Sequence, residues 1–206
     1  MKYAGVLVTL AWLALGHLTV RSDEPIPRAA LVPTVGTGTI TRTFALSPDG
    51  KLLATGGGSR AGWVVLWDAA TGKEIVDLNK HLEHTSAVEM VAFSSDGKTL
   101  ASLDPLKVVL WDPASRKKLR VLDGNTFRSL AFSPDGTILA AGTNIGEVRL
   151  WTVTTGKSIA ILKGHAGPVT AVAFSPDGKT LISMDPYKGD SKSTAGVKIW
   201  NVPEAK

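Results

Sequence analysis

The sequence predicts an all-β protein built from four successive four-stranded antiparallel units. Three observations carry this. A six-residue phrase recurs as ALSPDG at 45–50, AFSSDG at 92–97 and AFSPDG at 131–136 and 173–178. An apolar stretch ending in tryptophan follows each phrase, at Trp67, Trp111, Trp151 and Trp200. No stretch beyond residue 22 has sustained helical periodicity. The phrases begin 47, 39 and 42 residues apart, a spacing typical of repeat architectures.

Each unit reads in the same order. A β-type run comes first: 39–46, 87–93, 128–132 and 169–174. The phrase itself is a tight turn, in which Pro presets φ near −65° and Gly takes a left-handed position that other residues enter at a cost. A second strand follows it: KLLATG, KTLASL, TILAAG or KTLISM. A loop then leads to the third strand, which carries the Trp. A turn (DAATGK, DPASRK or TVTTGK) leads to a short fourth strand: EIVDL, KLRVL or SIAIL.

One such sheet cannot hide both of its faces. Units stacked around an axis bury each face against the next, which makes the expected architecture a β-propeller of four blades. The four Trp rings and Phe93, Phe132 and Phe174 are then the filling between blades.

These residues carry a resemblance to the WD40-repeat proteins over roughly residues 28–206. The markers are the SPDG turns, the pairs Trp67-Asp68 and Trp111-Asp112, and Gly164-His165 at the start of the last unit. The chain departs from the pattern where Thr152 and Asn201 follow Trp151 and Trp200. His84 stands nine residues before Phe93, as His165 stands nine before Phe174. The resemblance implies that such a His joins a strand Ser, a turn Asp and the Trp in a hydrogen-bonded set. Ser102 and Trp111 are the partners for His84, and Ser183 and Trp200 those for His165. Asp104 and Asp185 each precede a proline and look displaced, so the expected network is partial.

The blades are expected at about 39–78, 81–122, 123–162 and 164–202, with 29–33 as a closing strand, because the chain after Trp200 lacks a fourth strand of its own. Three closures remain open: one four-bladed ring, two copies sharing an eight-bladed ring, or a segment of a larger propeller. Residues 1–22 read as a signal peptide: Met1-Lys2, an apolar run at 3–16, then polar residues. Residues 23–27 are a linker. Export is therefore expected, to the periplasm, the cell envelope or the exterior of a bacterium. Any membrane contact would come through an uncleaved leader.

Composition excludes several functions. With no cysteine there is no disulfide, no thiolate chemistry and no Cys-ligated zinc. The net charge of +5 is mild and scattered, and its densest basic run, Arg116–Lys118, lacks the stripe and aromatic stacking of a nucleic-acid surface. Thr155–Ser158 contains GKS without the upstream glycine of a phosphate loop. The glycine-rich stretch at 56–62 and the loop at 184–196 read as connections between strands. His81 and His84 flank Glu83, but a third metal ligand is missing nearby. No cofactor, metal or catalytic residue is expected, and an enzyme or small-ligand receptor is the weaker reading.

The expected function is a non-catalytic scaffold that binds a protein or peptide; the alternative is a regulatory or sensor module of a larger propeller protein. The resemblance points to the start of each innermost strand as the partner-contacting position. Four residues before each Phe or Leu marker stand Arg42, Glu89, Arg128 and Thr170. In a four-bladed ring, Arg42 and Arg128 would face each other and suit an acidic peptide.

Overall fold

The computed structural model of the chain describes residues 40–59, 61–78, 83–124, 126–186 and 196–203. The leader, the linker and the expected closing strand at 29–33 lie outside these, as do Arg60, His81, Asn125 and residues 187–195 of the last long loop.

All regular structure among the described residues is strand. Blade 1 holds β1 (Thr41–Leu46), β2 (Leu52–Gly58), β3 (Gly62–Asp68) and β4 (Glu74–Asp77). Blade 2 holds β5 (Met90–Phe93), β6 (Leu100–Leu103), β7 (Lys107–Asp112) and β8 (Lys117–Asp123). Blade 3 holds β9 (Phe127–Phe132), β10 (Ile138–Thr143), β11 (Glu147–Thr152) and β12 (Ser158–Lys163). Blade 4 holds β13 (Ala171–Phe174), β14 (Thr180–Asp185) and β15 (Gly196–Asn201). Each sheet is an antiparallel meander in chain order, with three strands in blade 4 among the described residues. The first strands of successive blades lie against one another: β1 against β5, β5 against β9 and β9 against β13.

The recurring phrase works as a hydrogen-bonded device as well as a bend. In blade 1, Ser47 Oγ donates to Asp49 Oδ1 at 2.6 Å and accepts the Leu52 N–H at 2.9 Å. Asp49 Oδ1 also accepts the Lys51 N–H at 3.1 Å. Ser94 with Asp96, Ser133 with Asp135 and Ser175 with Asp177 repeat the arrangement at 2.7, 2.5 and 2.6 Å. The glycine that follows sits at φ between 70° and 72° in all four blades, a region costly for any residue with a Cβ. The hydroxyl thus satisfies the first N–H of the second strand, and the carboxylate fixes the hydroxyl. This is why Ser, Asp and Gly recur together.

Packing between blades follows one rule. The face of blade 1 carrying Ala54, Val64 and Leu66 meets Val88, Val91, Leu100 and Trp111 of blade 2. The opposite face of blade 2, with Ala101, Leu103, Val108 and Leu110, meets Phe127, Leu139 and Trp151 of blade 3. Ile138, Ala140, Val148 and Leu150 of blade 3 meet Val169 and Leu181 of blade 4, with Phe174 and Trp200 packed alongside. So each blade has a Trp face, which packs backward, and a second face, which packs forward. Fully burying each Leu or Val contributes about 1.5–3 kcal/mol, against about 0–1 for a typical surface ion pair. Inter-blade burial therefore holds the array together.

The two outermost faces are covered incompletely: on the Trp face of blade 1, Val65 and Trp67 of β3 are buried, but the first strand is not. On that face Phe44 and Leu46 of β1 are 76% and 57% exposed. On the forward face of blade 4, Ile182, Met184, Val197 and Ile199 are 40%, 41%, 63% and 71% exposed. A closed four-bladed ring within one chain would press these two faces together. Their exposure argues against that closure.

Candidate functional site

The first strands begin at one end of the blades, where the loops between second and third strands also turn. A cavity of about 450 Å³ opens there, lined by Arg42, Glu89, Pro105, Thr126, Phe127, Arg128 and Asn144. Three of the four residues singled out in the sequence thus line one cavity, one from each of blades 1, 2 and 3. Thr170, the fourth, stands at the matching register just before β13, where its N–H donates to Met184 O at 2.9 Å, but it does not line the cavity.

The charges of the rim are held in place by neighbours. Arg42 Nη1 lies 3.3 Å from Glu89 Oε1, and Arg42 Nε donates to Gly58 O at 3.1 Å. Arg128 Nε donates to the Asn144 side-chain oxygen at 3.2 Å. The Arg42–Glu89 pair is well exposed, so it contributes little to stability and exchanges easily for another carboxylate. Thr126 stands at φ 60°, an unusual conformation for a β-branched residue, and its carbonyl accepts the Asn144 N–H at 2.6 Å. That bond ties the entry to blade 3 to the loop bearing Asn144.

The two described histidines, His84 and His165, are held in hydrogen-bonded sets with a serine and a Trp. In blade 2, His84 Nδ1 lies 2.8 Å from Asp104 Oδ2, and His84 Nε2 lies 2.6 Å from Ser102 Oγ. Trp111 Nε1 donates to the same hydroxyl at 2.7 Å, and His84, Asp104, Ser102 and Trp111 are all buried. A carboxylate only accepts, so Nδ1–H donates to Asp104. Ser102 then accepts from Trp111 and donates to Nε2. Asp104 Oδ1 also takes the N–H groups of Leu106 and Lys107 at 2.7 and 2.9 Å. Burial pushes the Asp104 carboxyl up, but these hydrogen bonds outweigh it and hold its pKa below the ordinary value. The network expected to be partial is therefore complete here. Ser102 and Asp104 are two residues apart on one strand and its exit, so both side chains reach the same face.

The other Trp residues are served differently. In blade 4, Trp200 Nε1 donates to Ser183 Oγ at 2.7 Å and His165 Nε2 lies 2.6 Å from that hydroxyl. Asp185 accepts the Gly167 N–H at 2.7 Å. Burial pulls the His165 pKa down, against the opposing charge of Asp185. In blade 3, Ala141 replaces the serine and Phe127 meets Trp151 edge-on, with centroids 5.8 Å apart at 70°. In blade 1, Trp67 Nε1 donates to Thr55 Oγ1 at 2.7 Å. The residues after Trp67 and Trp111 cap the next turn: Asp68 accepts from Thr71 and Asp112 from Ser115, each at 2.7 Å. Among the described residues, no three His, Asp or Glu side chains converge as a metal site would need.

Comparisons with known proteins agree with this geometry. The family model for the WD domain, G-beta repeat, matches residues 35–68 and 156–201, and that for the anaphase-promoting complex subunit 4 WD40 domain matches 110–177. Periodic tryptophan protein 2 homolog of Dictyostelium discoideum is 30% identical over 166 residues, covering 79% of this chain and 17% of that protein. Meiotic recombination protein rec14 of Schizosaccharomyces pombe is 35% identical over 133 residues, covering 63% of this chain and 42% of that protein. The crystal structure of the RRP9 WD40 repeats superposes with a TM-score of 0.67 at 22% identity, covering 82% of this chain and 50% of that one. The chain thus spans half or less of the length of each of these relatives. With its turns, Trp rows and blade order all of one pattern, the chain belongs to the WD40-repeat family.

Proposed function

We propose that this chain is a non-catalytic interaction scaffold whose binding surface is the cavity rimmed by Arg42, Glu89 and Arg128. The observation that supports it most is that Arg42 and Arg128, 86 positions apart in sequence, line one cavity of about 450 Å³. Two guanidiniums and one carboxylate leave the rim net positive. An acidic peptide would exchange one of its carboxylates for Glu89 on Arg42 and place a second on Arg128, with Asn144 offering an amide beside it. Arg suits this because its planar fork binds carboxylates in pairs. A rigid rim on packed blades keeps the ordering cost of binding low.

The test is a fluorescence-anisotropy titration with a labelled Glu-rich peptide and a Lys-rich peptide of equal length. Binding of the acidic peptide alone, weakening as salt rises, supports the reading. Equal binding of both peptides, or of neither, overturns it.

Export to a bacterial cell envelope is the second part of the proposal. It rests on the basic start and apolar run of residues 1–16. Cell fractionation with N-terminal sequencing tests it. A mature chain starting near residue 17 or 23 in the envelope fraction is the expected result, and an intact Met1 in the cytosol would refute it.

A further inference from the structure

The exposed parts of the two outer faces are the two halves of one contact. Blade 1 exposes the first-strand part of its Trp face, at Phe44 and Leu46, and blade 4 exposes its forward face. Within the chain those two kinds of face pack together at each of the three blade junctions. Over 82% of its length the chain also superposes on half of a solved WD40 chain. We propose that two copies of this chain close one eight-bladed ring, the forward face of blade 4 in each copy covering the Trp face of blade 1 in the other. Eight blades lie within the range that propellers adopt. A two-fold axis generates both contacts at once and leaves no blade face open.

The internal junctions fix the register of this contact. Gly56 stands three residues after Leu53, the strand partner of Trp67. A Cβ placed on Gly56 would lie 2.7 Å from Val88 Cγ1, and Val88 is five residues before Phe93. Gly142 stands three residues after Leu139, the partner of Trp151, and a Cβ there would lie 2.6 Å from Val169 Cγ1, five residues before Phe174. At the middle junction the same two positions are Leu103 and Phe127, both in one core cluster. In blade 4 the equivalent of Gly56 is Met184, three residues after Leu181, the partner of Trp200. In blade 1 the residue five before Leu46 is Thr41. Met184 therefore meets the partner's Thr41, and Val197, its strand neighbour, lies on the same apolar face.

Because the chain has no cysteine, a double variant Thr41→Cys/Met184→Cys introduces the only two thiols. At the internal junctions a Cβ at the first position touches a Cγ atom one bond beyond the Cβ of the second, which brings the two Cβ atoms within the roughly 4.5 Å that a disulfide spans. The full chain is measured by size-exclusion chromatography with light scattering, and the oxidised variants by non-reducing denaturing gel. The expected result is a wild-type particle of twice the chain mass. The double variant should then run as a cross-linked dimer on the gel, while Thr41→Cys or Met184→Cys alone runs as a single chain. Ile199→Asp should halve the wild-type mass in solution. A wild-type particle of single-chain mass overturns the proposal, because the exposed faces are then left bare or covered within the chain. So does a cross-link formed within one chain, a ladder of higher oligomers, or no cross-link at all.

Discussion

Trp111 Nε1 donates to Ser102 Oγ at 2.7 Å, and Trp200 Nε1 donates to Ser183 Oγ at the same distance two blades later. In each case one serine hydroxyl serves both a tryptophan and a histidine. The blade-2 set is wholly buried, whereas His165 and Trp200 of blade 4 are only partly so.

Removing that hydroxyl leaves two buried polar groups without their partner. Ser102→Ala should therefore cost about 2–4 kcal/mol, and Ser183→Ala about half of that, because water reaches the blade-4 set more readily. Urea unfolding midpoints followed by tryptophan fluorescence check the order. Equal losses would show that the network is not what distinguishes the two blades.

Blade 3 gives the apolar counterpart. Phe127 is 1% exposed and packs on Trp151, so Phe127→Ala should cost about 3–5 kcal/mol through the cavity it leaves. The same urea series measures it, with Ile161→Ala on the exposed fourth strand as the control, expected to change stability by under about 1 kcal/mol.

Two turn residues make a paired test of backbone strain. Arg116 stands at φ 60° in the turn where blades 1 and 3 carry Gly72 and Gly156 at 68° and 71°. Arg116→Gly should stabilise the protein by up to about 1 kcal/mol. Gly50→Ala should destabilise it by about 1–2 kcal/mol, because the new Cβ meets no neighbour and only the left-handed conformation is penalised. Thermal melts of both variants should move in opposite directions; a shift of the same sign in both would remove the strain argument.

Acid should weaken the fold in two windows. Hydrogen bonds from Ser47, Ser94, Ser133 and Ser175 hold the carboxyls of Asp49, Asp96, Asp135 and Asp177 below their ordinary value. A carboxyl with a lowered folded pKa contributes stability above its unfolded value, near 3.9, and loses it as pH falls through the folded one. The steepest loss is therefore expected below about pH 4, and Asp135→Asn should make it shallower. His165 also has a lowered folded pKa, so its contribution is complete above the unfolded value of about 6.5 and declines as pH drops below that. His165→Gln should flatten this upper window while leaving the lower one in place. Urea midpoints measured from pH 8 to pH 3 resolve the two.

Much of the fold is legible in the sequence because the repeat states its own punctuation. Each Ser-x-Asp-Gly phrase marks a turn whose hydrogen bonds are local, and each Trp marks the end of a third strand. Local chemistry of this kind survives without knowledge of the rest of the chain. The Trp networks were less legible. Asp104 looked displaced by the following proline, yet strand alternation brings it to the same face as Ser102. Phe127 gave no sign of its contact with Trp151 except that Ala141 stands where blade 2 has Ser102. The rim was partly legible: equal spacing before each Phe or Leu marker found Arg42, Glu89 and Arg128. It also named Thr170, which stands at that register yet does not line the cavity. The state of the outer faces was not legible, because exposure there depends on curvature between blades, which no local pattern records.

The most direct test of the account is acidic-peptide binding to Arg42→Ala/Arg128→Ala beside Lys179→Ala. Lys179 lines a separate groove by the Ser-x-Asp-Gly turns of blades 3 and 4, so it serves as a charge control away from the rim. The double rim variant should lose at least about tenfold in affinity, roughly 1.4 kcal/mol, with its melting curve unchanged, and Lys179→Ala should bind as the parent does. Equal affinity in the parent and the rim variant, or an equal loss in the Lys179 control, would contradict it.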